Sequence, residues 1–303
     1  MTALVQVVEQ TRGHGIGASM AAACLGCSPY LTPIGAWLVL KGRAETKAGA
    51  PAEWGQILEP VIRGYYTAKH GYVAPRFEVH VPTHSVHHPE LPWLRATPDG
   101  IVRERRIGEP VATGIVNMHL VQVKTVDQRL RWHWGLNPRT PSAPAHYRIQ
   151  AVVEMAVTGL SRCDFAVLCG GNDYFEVIVE RDADLEATVL ERLSAFYDAL
   201  AADEPPPLDD ADDWRRYFAD RLPKLRVEVV APAEVEHELD AWKAARAALK
   251  AAEKAEALAK NKILSLAVAE QATAFESKHG RVLVVQAKDK APYVKAPTGW
   301  AEE

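Results

Sequence analysis

The residues most able to do chemistry lie in two short runs, Thr97-Pro98-Asp99-Gly100 and Val121-Gln122-Val123-Lys124-Thr125. Alternation along a strand sends side chains two positions apart to one face. Gln122 and Lys124 therefore share a face, while Val123 points away and leaves its carbonyl to contribute. Asp99 would enter from a turn at the end of a neighbouring strand. A carboxylate, an amide oxygen, a carbonyl and a lysine gathered in this way suit phosphodiester hydrolysis. Held divalent cations would neutralise charge and generate a nucleophilic water, and the lysine would orient that water or offset developing negative charge.

Each run has an ordinary reading when taken alone. Thr-Pro-Asp-Gly is a common turn sequence, and a lysine between valines is a common edge residue. The order of several such runs is what points to a site. From Glu53 to His70, Ile57, Leu58, Val61, Ile62 and Tyr65 recur at helical spacing, so Glu59 rides on a helix entering the core. Strands are expected near Phe77–Val81, Trp93–Ala96, Gly100–Arg103, Leu120–Thr125, Phe165–Cys169 and Tyr174–Glu180. A helix carrying Tyr147 and Gln150 is expected over Pro144–Leu160. Two short helices within residues 15–42 are broken by Ser28-Pro29-Tyr30, with Ser19 as cap of the first. Together these elements describe an α/β fold, a mixed sheet flanked by helices. Residues 1–202 form this domain. Residues 203–303 form a mainly helical extension, with an Ala/Glu/Lys-rich helix from Glu234 to about Ala274 and a small hairpin around His279-Gly280, suited to assembly or DNA contact.

Composition restricts the function classes. The 303 residues are 48% hydrophobic and 24% charged, and no apolar run approaches the roughly 20 residues of a membrane helix. A cytoplasmic location is the expectation. The formal charge of −4 hides an asymmetry, since residues 1–170 carry 17 Lys and Arg against 12 Asp and Glu, and the remainder 18 against 27. A basic, phosphate-facing first part is compatible with that balance. Cys24 and Cys27 lack a second pair at zinc-ribbon spacing, and with Cys163 and Cys169 they read as buried or idle thiols. His80, His84, His87 and His88 sit in a proline-punctuated segment that reads as a polar loop rather than a metal site. Arg103-Glu104-Arg105-Arg106 reads as a solvated turn or, in a nuclease, as a contact to the phosphate backbone. Trp132 and Trp134 read either as core anchors or as stacking surfaces for a frayed base, with core packing the better reading for one of them.

Arg12 followed by Gly15-Ile16-Gly17-Ala18-Ser19, the Cys24-to-Tyr30 turn, Gly55-Gln56-Ile57-Leu58-Glu59-Pro60, Ala96-to-Gly100, Val121-to-Thr125, and His146-to-Gln150 continuing to Gly159 stand in a fixed order. In these motifs the chain resembles the PD-(D/E)XK nuclease superfamily and, within it, the YqaJ-like viral recombinases related to phage lambda exonuclease. The resemblance spans roughly residues 10–185 and implies a restriction-endonuclease-like fold. It further implies a phage- or prophage-encoded enzyme acting in a bacterial host. Such an enzyme would degrade linear duplex DNA with Mg²⁺, or alternatively Mn²⁺, from 5′ to 3′, leaving single strands for recombination. Asp99, Gln122, the Val123 carbonyl and Glu59 would then attend the metal, with Lys124 as the catalytic lysine and Tyr147 and Gln150 on an active-site helix. Arg12 and Ser19 would hold a terminal 5′-phosphate, a role suited to a guanidinium and free amides at a helix start. A single-strand annealing protein as partner and a trimeric or tetrameric ring are implied as well. Two positions depart from the pattern. Gln122 stands where the family has Asp or Glu, and Met20 where it often has an acidic residue. Two alternatives stay open, an endonuclease or nickase of the same fold and, because of Gln122, a catalytically silent DNA-end-binding protein.

Overall fold

A computed structural model describes residues 15–45, 49–71, 77–105, 115–135, 140–219, 221–224, 229–286 and 291–296. Contacts divide the chain into Met1–Leu222 and Pro223–Glu303. In the first unit the elements run β1 (Ile16–Gly17), α1 (Ala18–Cys24), α2 (Pro33–Leu40), α3 (Ala50–Gly71), β2 (Phe77–His80), β3 (Val86–His87), β4 (Leu94–Ala96), β5 (Gly100–Arg105) and β6 (Ile115–Val126). A 3₁₀ turn (Gln128–Trp134), α4 (Ala145–Thr158), β7 (Arg162–Cys169), β8 (Asp173–Glu180), α5 (Ala183–Ala201) and α6 (Asp213–Ala219) follow.

The main sheet has the order β2-β5-β6-β7-β8, with β6 and β7 parallel and the other neighbours antiparallel. A small second sheet has the order β1-β4-β3. Alternation along β6 sorts its side chains between two layers. Leu120 packs with Ala151 and Met155 of α4 and with Cys163, Phe165 and Val167 of β7. On the other face, Val121 and Val123 pack with Ile62 and Tyr66 of α3, and with Ala166. The sheet is thus covered by α3 on one side and α4 on the other. The far side of α4 packs through Val152, Val153 and Val157 against α1, β4 and α5. This is the mixed sheet flanked by helices that the sequence implies.

Local signals set the helix ends. Thr32 caps α2 by accepting from Gly35 N at 3.0 Å, with Pro33 at the first helical position. Asp182 caps α5, and Gly159 ends α4 at φ +72°. The cap of α1 is Gly17, without a side-chain bond; Ser19 is exposed in the first turn, so the expected Ser19 cap is not formed. The inward face of α3 also differs from expectation. Ile62 and Tyr66 are buried with Leu58 beside them, whereas Ile57, Val61 and Tyr65 are more than half exposed. Of the apolar positions read in the sequence, Leu58 and Ile62 meet the sheet, and Tyr66 joins them in place of Tyr65. β5 extends through Arg105, which puts Arg103 and Glu104 in a strand rather than a turn. Residues 209–219 pack with this unit, where Trp214 joins Ile34, Trp37, Leu38 and Leu200.

The second unit holds α7 (Ala233–Ala269) and a three-stranded antiparallel sheet of β9 (Ala274–Ser277), β10 (Gly280–Val285) and β11 (Tyr293–Lys295). Its third strand goes beyond the expected hairpin. Among the described residues of α7 only Ala267 is buried, and Trp242, Leu249 and Leu258 are exposed.

Candidate active site

The site arises where β5 and β6 part. Their pairing begins at Gly100 opposite Val121, while β6 continues to Val126 with β7 as its partner. Gly100 is required there, because a Cβ would come within 2.5 Å of Val79 Cγ1 and 2.8 Å of Val121 Cγ1. Beyond that point the Val123 N–H is taken not by a strand but by Asp99 Oδ2 at 2.8 Å. A strand residue sends its N–H and C=O to the same edge, so the Val123 carbonyl also leaves toward the Asp99 side. Burial raises the Asp99 carboxyl above its ordinary value, opposed by Lys124 and the Val123 N–H; Glu59 adds to the rise and Arg63 opposes it.

Glu59 reaches the cluster through Arg63, one turn along α3. Arg63 Nη1 donates to Glu59 Oε1 at 2.6 Å and to the Asp99 carbonyl at 3.2 Å. On the α4 side, Gln122 is buried and its oxygen accepts from Lys124 Nζ at 3.3 Å and Gln150 Nε2 at 3.1 Å. Lys124 Nζ also lies 5.0 Å from the centroid of the Tyr147 ring. Burial, then the neighbouring Tyr30, pushes the Tyr147 hydroxyl well above its ordinary range, so it stays protonated and able to donate. The expected residues Glu59, Asp99, Gln122, Val123, Lys124, Tyr147 and Gln150 therefore form one connected neighbourhood. Arg12 lies outside the described residues.

One member was not singled out in the sequence. Glu154, one turn beyond Gln150 on α4, is 1% exposed. Its Oε1 accepts from Gln122 Nε2 and from Gln150 Nε2, both at 2.9 Å, and its Oε2 is buried without a hydrogen-bond partner. Burial raises its carboxyl to about 7 against the pull of Gln150 and Lys124. The available signal was a lone acid in the otherwise apolar run Ala151-Val152-Val153-Glu154-Met155-Ala156-Val157, which amphipathic patterning alone does not explain.

Other candidates resolve as structural. Among the described residues no group of three or more His, Cys, Asp or Glu is placed to hold a metal. His87 Nδ1 bonds the Pro92 carbonyl at 2.7 Å, and His88 Nδ1 accepts from the Glu90 and Leu91 amides. Both pin their loop. Cys24, Cys163 and Cys169 are buried free thiols, with Cys24 pushed up to about 12 by burial. Trp134 is buried beside Tyr147 and Phe165, while Trp132 is exposed and stacks on His133. A cavity of about 430 Å³ adjoins Tyr147, bounded also by Tyr30, Thr125, Asp127, His133 and His146.

The model of the YqaJ-like viral recombinase domain matches residues 9–161, which include the Asp99 turn, the Gln122-to-Lys124 strand and all of α4. The chain belongs to the YqaJ-like viral recombinase family. A relative, the uncharacterized protein YqaJ of Bacillus subtilis (strain 168), is 26% identical over 217 residues, covering 69% of this chain and 61% of the relative. The match thus leaves more than a third of that family member's length unspanned. Among solved structures, an alkaline exonuclease from Laribacter hongkongensis is similar with a TM-score of 0.49 and 23% identity over 70% of this chain and 96% of that one. A phage-related exonuclease from Haemophilus somnus 129PT is similar with a TM-score of 0.41 and 14% identity over 62% of this chain and 96% of that one. No helix among the described residues is long and apolar enough to cross a membrane.

Proposed function

We propose that this chain is a metal-dependent deoxyribonuclease that degrades linear duplex DNA from an end, 5′ to 3′, and exposes single strands for phage-type recombination. The observation that carries this reading is the meeting of Asp99, Gln122, Lys124 and Gln150 at the splayed end of β5 and β6, within the family-matched segment. Asp99, the Gln122 oxygen and the Val123 carbonyl would hold Mg²⁺ or Mn²⁺, with Glu59 as an outlying acid. These are hard oxygen donors of the kind such ions take. The buried Glu154 oxygen without a hydrogen-bond partner also fits a cation bound nearby. When bound, the cation supplies charge neutralisation at the phosphate and a more acidic water. Lys124, held over Tyr147, presents an ammonium where negative charge develops on the phosphate oxygens. Gln150 fixes the Gln122 amide through its own N–H. Arg12 and Ser19 would grip the terminal 5′-phosphate, a ring-shaped trimer or tetramer would retain the duplex, and a single-strand annealing protein would receive the product.

The test offers linear duplex DNA with and without a 5′-phosphate beside covalently closed circles, in Mg²⁺ or EDTA. Release of nucleotides from phosphorylated linear ends alone, abolished by EDTA, is expected. Equal cutting of closed circles would make the chain an endonuclease or nickase.

One observation favours a second reading, a silent DNA-end-binding protein. The Gln122 oxygen already accepts two protein hydrogen bonds, from Lys124 and Gln150. On that reading the protein binds ends without releasing nucleotides, and Gln122→Glu creates activity. On the first reading the natural protein is active already.

A further inference from the structure

Position 122 faces the site from β6 and carries no charge, whereas a buried carboxylate lies one hydrogen bond away on α4. From this juxtaposition we infer that Glu154 is the second acidic group of the divalent-cation site, supplying from the helix the charge that Gln122 does not supply from the strand. The inference rests on the metal-dependent reading above and names the residue that completes it.

Three observations support it. Glu154 is 1% exposed, a place where an unpaired carboxylate is costly. Among the described residues no basic side chain forms an ion pair with it, and its Oε2 has no hydrogen-bond donor at all. A carboxylate kept solely for packing would be satisfied on both oxygens or replaced by an apolar residue. Second, the amides around it are all turned one way. Gln122 and Gln150 both give their NH₂ groups to Glu154 Oε1, at 2.9 Å each, which fixes the carboxylate and turns the Gln122 oxygen toward Lys124. Hydrogen-bonded neighbours that orient a ligand are a regular feature of metal sites. Third, Asp99 and Lys124 both act electrostatically on Glu154, so it belongs to the same charge cluster. With Asp99 and Glu154 negative and Lys124 positive, the formal charge equals that of a site with the acid at 122. The negative charge has moved by one side chain, from strand to helix.

The test reads cation binding directly, without DNA or turnover. Mn²⁺ is titrated into the full-length protein and followed by calorimetry and by the loss of the free Mn²⁺ electron paramagnetic resonance signal. The natural protein binds Mn²⁺, and Asp99→Asn abolishes that binding. Glu154→Gln, which keeps shape and can still accept from both amides, weakens it at least about tenfold. The exchange Gln122→Glu/Glu154→Gln, which returns the acid to the strand, restores affinity to near the natural value and guards against a mere packing defect in the single variant. Natural affinity in Glu154→Gln, with binding still lost in Asp99→Asn, overturns the inference and leaves the metal-dependent reading intact. Loss in Glu154→Gln without recovery in the exchange also overturns it, assigning Glu154 a packing role. No Mn²⁺ binding by the natural protein overturns both.

Discussion

Two buried carboxylates flank the β6–β7 pair, one on each face of the sheet, and they are treated oppositely. Asp164 on the α3 face is fully engaged. Arg162 donates to its Oδ1 at 2.6 Å and its Oδ2 at 2.7 Å, and Tyr66 Oη–H donates to Oδ2 at 2.8 Å, with His119 Nε2 at 3.4 Å. Burial alone would raise its pKa, but the bonds from His119, Arg162 and Tyr66 outweigh it and hold the carboxyl at about 2. Glu154 on the α4 face is equally buried, receives only two neutral amide bonds on one oxygen, and sits at about 7. The fold satisfies the acid that stabilises it and leaves unsatisfied the acid that faces the site. Incomplete pairing within one well-packed sheet therefore separates function from structure more sharply than burial or charge does.

The two sides differ most in what their mutation does to turnover. Lys124→Ala or Asp99→Asn lowers kcat for nucleotide release by about 10²-fold or more with an unchanged melting temperature, whereas Asp164→Asn leaves kcat as it is. A fall in kcat from Asp164→Asn in protein that remains folded would contradict the division. In denaturant titrations, Asp164→Asn lowers stability by about 1–3 kcal/mol, because the charge-assisted bonds from Arg162 and the bond from Tyr66 are weakened at a buried site.

The pH dependences run in opposite directions. A depressed carboxyl stabilises the fold above its unfolded value and ceases to do so as pH falls through its folded one. The Asp164 contribution is therefore present above the ordinary 3.8 and is lost toward about 2. A raised carboxyl favours the fold only while protonated, so Glu154 costs metal-free protein stability as pH climbs from the ordinary 4.5 to about 7. Metal-free Glu154→Gln is accordingly more stable than the natural chain at neutral pH, by about 3 kcal/mol at 1.4 kcal/mol per pKa unit, and equal to it near pH 4. Melting curves at the two pH values check this, and equal stability at both would remove the contrast with Asp164. The smallest effect concerns Gly100, where β5 and β6 part. Gly100→Ala forces Cβ against Val79 and Val121 and costs about 1–3 kcal/mol by overpacking, with activity falling through displacement of Asp99.

Most of the site was legible because its parts are local. A Pro-Asp-Gly turn, a two-residue strand period joining Gln122 to Lys124, and a four-residue helix period each say which face a side chain occupies. The sheet was legible for the same reason, through its alternating runs. Glu154 was not, since the same helical period that places Gln150 at the site also places Glu154 beneath it. Only the tertiary approach of α4 to β6 shows that its partners are two amides. The apolar stripe of α3 was drawn too wide for a related reason, with Leu58 and Ile62 placed correctly and Tyr66 left out. Leu58, Ile62 and Tyr66 and the exposed Ile57, Val61 and Tyr65 are equally apolar, and contact with the sheet alone chooses between them. The Ser19 cap was misplaced because Gly17 takes the cap position without contributing a side chain.

Hydrolysis by a site with Gln122 on its strand is read most directly as acid-soluble nucleotide released from linear duplex DNA in Mg²⁺ by the natural chain beside Asp99→Asn. Release by the natural chain that EDTA stops, with none above background from Asp99→Asn, is the predicted result. Release no greater than that of Asp99→Asn, from natural protein that still binds DNA ends, would contradict the account.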